Sequence, residues 1–182
     1  MKNTVIFLLL VLASCQPLNE EVQQQAKVVA FFDLKNYIDQ EIKRLEKEQP
    51  KVDKTVAIND QIEKKQLSGL NYQRELDIFA QADINRQDWV DKYRADSTFY
   101  NSQLTEIQYI ALHEDLRTRL IKVNFQQGKV AKIYIENGGK NMAAGSQQQL
   151  TYEPENGYHI ESLQHIALAK DKRFRIDVKF LD

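Results

Sequence analysis

One cysteine among 182 residues leaves no partner for an intramolecular disulfide, so nothing in this chain draws stability from an oxidising compartment. Glycine and proline are scarce, six and three, and no stretch repeats, so the chain is not an array of short units. Its only long apolar run, Val5–Ala13, is nine residues, against the ~20 that a membrane-spanning helix needs. Neither sign of charge dominates: 25 Lys and Arg stand against 26 Asp and Glu. Without a basic stripe the composition argues against a nucleic-acid partner and against a polybasic patch for anionic lipid.

Signatures of catalysis are missing as well. A phosphate-binding loop needs Gly-x-x-x-x-Gly-Lys. Gly128-Lys129 and Gly139-Lys140 have Val123 and Tyr134 where the first glycine belongs. No Gly-x-Ser-x-Gly elbow occurs. His159 and His165 share a strand face but would lie ~20 Å apart at ~3.3 Å per residue, too far to share a zinc whose ligands sit ~2 Å from it. His159 with Glu161 forms a same-face pair that could meet a metal or relay a proton, and His113-Glu114-Asp115 falls at an expected strand end. The bland account of both, a solvated polar face, is the better one. The expectation is therefore no metal site, no cofactor and no enzymatic activity.

What the sequence does contain starts at its front. Lys2 gives a short positive region and Val5–Leu12 an apolar one, the layout of a secretory signal. The run closes on Leu12-Ala13-Ser14-Cys15, which puts the lone cysteine directly after two small residues. This pattern resembles the bacterial lipoprotein signal. The resemblance implies that residues 1–14 are a signal peptide cut between Ser14 and Cys15, and that the Cys15 thiol and the new amine are acylated. Each buried methylene of an acyl chain is worth ~0.8 kcal/mol, and two or more chains anchor stably where one does not. The thiol is then spent on attachment. Gln16, rather than an aspartate, follows the cysteine, and Gln16–Asn19 carries no acidic run. The expected address is the cell envelope, on the outer membrane and facing the periplasm.

The remaining 168 residues carry 24 basic and 26 acidic side chains, since residues 1–14 hold Lys2 and no acid. That length suits one domain, expected over residues 26–182 behind a lipidated cysteine and tether at 15–25. Asn19 before Glu20 and Glu21 resembles a helix N-cap; the alternative is a Gln-rich linker through Gln25 with a helix from Ala26. From Val28, the residues Phe31, Leu34, Ile38, Ile42 and Leu45 recur on one helical face, with Asp39 and Lys43 as an i,i+4 pair, and Pro50 ends the element. Asn59-Asp60 between charged, half-apolar runs predicts a β-hairpin. Asn71 caps a second helix with Leu76, Phe79 and Ala80 inward, and Asn85 could restart it before Trp89 and Tyr93. From Thr98 the period becomes two. Turns at Gln127-Gly128 and Asn156-Gly157 separate strands that end with Phe174, Ile176, Val178 and Phe180 on one face. The expected class is α+β: an amphipathic N-terminal helix and a second helical segment packed on one face of a curved antiparallel meander of about six strands, with a β-hairpin between the helices.

This order is compatible with cone-shaped helix-and-curved-sheet folds and with the half-barrels of periplasmic lipoprotein carriers, on topology alone. Lys54-Thr55-Val56 and Ala82-Asp83-Ile84-Asn85 resemble uncharacterised Gram-negative envelope lipoproteins, a likeness that implies no activity. Two places could touch a partner or ligand. Arg117 and Arg119 are expected on the face of Ile121, Val123 and Phe125, where a basic pair could meet an anionic headgroup. The connection Asn137–Ser146 reads as a ten-residue loop with a small apolar centre, Met142-Ala143-Ala144. The functional expectation is a lipid-anchored, non-enzymatic module for a protein partner, attached to the membrane through Cys15. The alternative is a carrier of an apolar, lipid-like ligand between helices and sheet.

Overall fold

The structure, a computed structural model, describes residues 30–140, 144–166 and 170–181. Its first element, α1 (Leu34–Glu48), buries Leu34, Ile38, Ile42 and Leu45 in a single stripe. The Asp33 side chain accepts the Asn36 N–H at its start. Gln49 closes it in the left-handed region, donating its N–H to Leu45 at 2.8 Å, and Pro50 follows. The helix begins later than Val28, which lies outside the described residues. Ala30–Asp33 is not helical because its backbone is engaged elsewhere: Asn85 Oδ1 accepts from Ala30 and Phe31 at 3.0 and 2.9 Å, and the Tyr109 hydroxyl accepts from Phe32 at 2.9 Å. On the polar side Asp39 pairs with Lys35 at 2.6 Å rather than with Lys43.

The hairpin forms as its turn dipeptide dictates, β1 (Lys51–Ile58) returning through Asn59-Asp60 as β2 (Gln61–Leu67), with Asn59 at φ 52. Asn71 caps α2 (Tyr72–Ala80) by accepting the Arg74 N–H at 2.9 Å. A short 3-10 turn, Gln87–Trp89, leads into seven strands in succession. They are β3 (Tyr93–Tyr100), β4 (Gln103–Ala111), β5 (Thr118–Gln126), β6 (Lys129–Lys140), β7 (Ala144–Glu153), β8 (Gly157–Ile166) and β9 (Lys172–Leu181).

All strands join one antiparallel sheet of order β2-β1-β9-β8-β7-β6-β5-β4-β3. This overturns the expected α+β architecture with about six strands. The described residues form mainly a nine-stranded sheet with two short helices, of 15 and nine residues. Two differences produce the change. The β1–β2 hairpin does not stand apart: β1 pairs with the last strand from Lys51↔Leu181 to Ile58↔Phe174. And β3, which includes Tyr93, precedes the point where alternation becomes visible. It is an edge strand whose side chains, Tyr93 and Asp96 aside, are exposed, so burial imposes no period of two on it.

Nine strands at ~4.8 Å spacing make a sheet ~40 Å wide, whereas α1 is only ~22 Å long. The helices therefore cannot form a layer over the whole sheet. They contact each other, and their buried side chains merge with Val52, Tyr93, Ile121, Ile133, Leu150, Tyr152 and Val178 in one apolar cluster. Phe79 meets Tyr152 edge-on at 5.9 Å. Where helical cover stops, part of this sheet face stays open.

Candidate functional site

Register places the core-side residues of β1, β9 and β8 in cross-strand rows. Lys54, Val178 and Tyr158 form one, Val56, Ile176 and Ile160 the next, and Ile58, Phe174 and Ser162 a third, with Lys172 opposite Gln164 beyond. One side of α2 stands over them, carrying Asn71, Arg74, Glu75 and Ile78 at helical spacing. Between helix and rows lies a cleft of about 670 Å³, within the ~300–1,000 Å³ of small-molecule sites. Its floor is apolar: Val56, Ile160, Phe174 and Ile176, faced by Ile78. Gln148, Gln164 and Lys172 form a polar margin.

The first row is sealed by a charge network. Lys54 Nζ lies 2.6 and 2.7 Å from the two Glu75 carboxylate oxygens, and the Tyr158 hydroxyl donates to Glu75 Oε2 at 2.6 Å. Lys54 and Glu75 are only 16% and 17% exposed, so each charge depends on the other. Burial, reinforced by the bond to Glu75, holds the Tyr158 hydroxyl far above the ordinary phenol range. A matching pair sits under α1, where the fully buried Tyr152 donates to Glu41 at 2.7 Å and Arg44 braces the same carboxylate. Burial, then the Glu41 charge, raises Tyr152 likewise.

Both Glu75 oxygens are thus engaged, while Arg74 and Lys172 are exposed and their side chains have no hydrogen bond or ion pair among the described residues. The cleft can hold an apolar body and present positive charge to it. No cluster of three His, Cys, Asp or Glu side chains suited to a metal occurs among the described residues. Sequence reasoning passed over this site. One signal was available: Lys54 occupies an inward position between Val52 and Val56, where a lysine needs a buried acid.

The anticipated contact residues fare differently. Arg117 and Arg119 do not share the apolar face of Ile121 and Val123. A bulge between Thr118 and Leu120 shifts the register, so Thr118 takes the inward position, 2% exposed, donating its hydroxyl to the Ala82 carbonyl at 3.2 Å. Arg119 is spent on structure: it donates to the carbonyls of His113 (2.9 Å) and Glu114, and lies over Gly138, where an added Cβ would stand 3.3 Å from its Nε. Arg117 is exposed, and its carbonyl accepts the Gly138 N–H at 2.8 Å.

The ten-residue connection is mostly strand, since Gly138, Gly139 and Lys140 pair with Gln147, Ser146 and Gly145. Two glycines and an absence of alternating apolar residues hid it. Met142 and Ala143 lie outside the described residues, and Ala144 opens β7 opposite Ile166. A second, polar hollow of about 430 Å³ lies over Gly138 and Gly139 beside Arg119. His159 Nδ1 is 2.6 Å from Asp177 and its Nε2 is 3.9 Å from Glu161, while His165 pairs with Asp171 at 2.6 Å. Ser14 and Cys15 lie outside the described residues.

Comparisons with protein-family models, with curated proteins and with solved structures each find nothing that matches the chain.

Proposed function

We propose that the protein is a lipid-anchored, non-enzymatic binding protein of the cell envelope. Cys15 holds it on the periplasm-facing side of the outer membrane, and a small amphipathic ligand enters the cleft between α2 and the sheet. The observation that carries the reading is the cleft itself: about 670 Å³ over an apolar floor, left open beside the buried core. Its lining comes from β1, α2, β7, β8 and β9, and none of the described residues within 137–146 contributes to it. The address rests on Leu12-Ala13-Ser14-Cys15 behind a nine-residue apolar run. No helix among the described residues is long and apolar enough to cross a membrane.

The test is native mass spectrometry of the protein extracted from its own membrane, wild type beside Ile78→Trp, which projects an indole from α2 into the cleft. A bound small molecule on the wild type, lost from a variant of unchanged melting temperature, supports the reading. A wild type that never carries one sinks it. Palmitate labelling checks the anchor separately: it tags the wild type and not Cys15→Ala.

A protein partner is the second reading, favoured by Phe99 and Tyr100, which are 62% and 71% exposed at the end of the edge strand β3. Paired exposed aromatics of this kind mark interaction sites. On that reading a Phe99→Ser, Tyr100→Ser double variant loses its co-purifying protein and keeps its small ligand.

A further inference from the structure

We infer that the ligand of this cleft is a single-chain amphiphile with an anionic head. This deepens the proposed function and rests on the cleft being a ligand site. Four charged side chains line it, and three of them are cations: Lys54, Arg74 and Lys172 against Glu75. The one carboxylate already accepts from Lys54 and from Tyr158, so it has little left to offer a cationic or hydrogen-bonding head. Arg74 on the helix wall and Lys172 on the strand wall are exposed and have no partner among the described residues. Bringing an amine between them adds like-charge repulsion; a carboxylate or a phosphate monoester supplies what they lack.

The tail follows from the floor. The β1–β9–β8 rows from Phe174 to Val178 span ~13 Å along the strands and ~10 Å across them. The Lys54–Glu75–Tyr158 network lies at one end, and Ile78 lines the trough on the α2 side. A trough of that width takes one chain lying along β9 over Phe174 and Ile176, with the head at the charged margin.

Binding is measured on the purified full-length protein below the micelle threshold of each probe. The probes are a long-chain fatty acid, the alcohol and the amine of equal chain length, and a single-chain lysolipid with a phosphate monoester head. The acid or the phosphate binds at least about tenfold tighter than the alcohol, the amine does not bind, and the preference shrinks as salt rises. The tighter of the two anions identifies the head as carboxylate or phosphate. Arg74→Gln with Lys172→Gln lowers acid binding to the level of the alcohol and leaves the alcohol unchanged. Equal binding of acid and alcohol, or equal weakening of both in the double variant, overturns the anionic head while the ligand site stands. Alcohol binding that persists in Ile78→Trp, or no binding of any probe, overturns the ligand site as well.

Discussion

At Gly157 the backbone runs at φ 129, and a Cβ added there would stand 2.0 Å from the Val178 carbonyl oxygen. The position closes the β7–β8 turn and lets β8 approach β9, so any side chain must push those strands apart. Gly157→Ala is expected to cost roughly 3 kcal/mol or more, read as a lower urea midpoint at constant m-value. The buried tyrosines set a second residue-scale expectation. Tyr152 and Tyr158 ionise near 10.0 when ordinary and well above that in the fold, and burial also pushes Tyr93 up to about 12. A raised folded pKa means the fold holds the protonated form. That stabilisation is complete below about pH 10 and is lost as pH climbs above it toward the folded values. Melting temperature should therefore fall steeply above about pH 10, and a Tyr152→Phe, Tyr158→Phe variant should show a shallower fall. Asn59, Asn71 and Gly157 were legible because turn and cap chemistry is a property of one or two residues. The role of Arg119 was not, because a bulge changes which way a side chain points without leaving a mark in the composition.

α1 shows the same division at the next scale. Its inward stripe Leu34, Ile38, Ile42 and Leu45 is readable from spacing alone, and all four are at most 2% exposed. Its first turn is not, since Phe31 turns to meet Tyr93 and Tyr109 at ring distances of 6.0 and 5.2 Å while Asn85 takes the neighbouring N–H groups. Ile38→Ala should cost about 3 kcal/mol by opening a cavity in the shared core. Ile62→Ala on β2, where the side chain is 60% exposed, should stay within about 0.5 kcal/mol. Chemical denaturation of the two variants side by side checks the contrast. The edge strands differ in how they are guarded against edge pairing: β2 carries Lys64 and Lys65 along its length, whereas β3 carries the Arg94–Asp96 pair and a bulge after Thr98, beyond which it ends in the exposed Phe99 and Tyr100.

Across the whole molecule the decisive contact joins the beginning of the described chain to its end. β9 lies between β1 and β8, and each flanking pairing runs eight residues. Deleting residues 172–182 would detach the β1–β2 hairpin, which has little stability of its own, and would remove Phe174 and Ile176 from the cleft floor. The truncated chain should show no cooperative thermal transition and no ordered near-ultraviolet dichroism. A two-state melt would show instead that β3–β8 with the helices is self-sufficient.

Local features are legible along the chain: the turns at Asn59-Asp60, Gln127-Gly128 and Asn156-Gly157, the cap of α2, the buried stripe of α1, the alternation of β9 and the near balance of charge. These depend on dihedral preference and on periods of 3.6 and two, which are written into neighbouring residues. It took the folded molecule to pair β1 with β9, to join hairpin and meander in one sheet, and to bring Lys54, Glu75 and Tyr158 together across three elements. Strand pairing is a choice among exchangeable backbone hydrogen bonds, settled by the burial of many distant side chains at once. The cleft exists because that choice made a sheet wider than its two helices can cover.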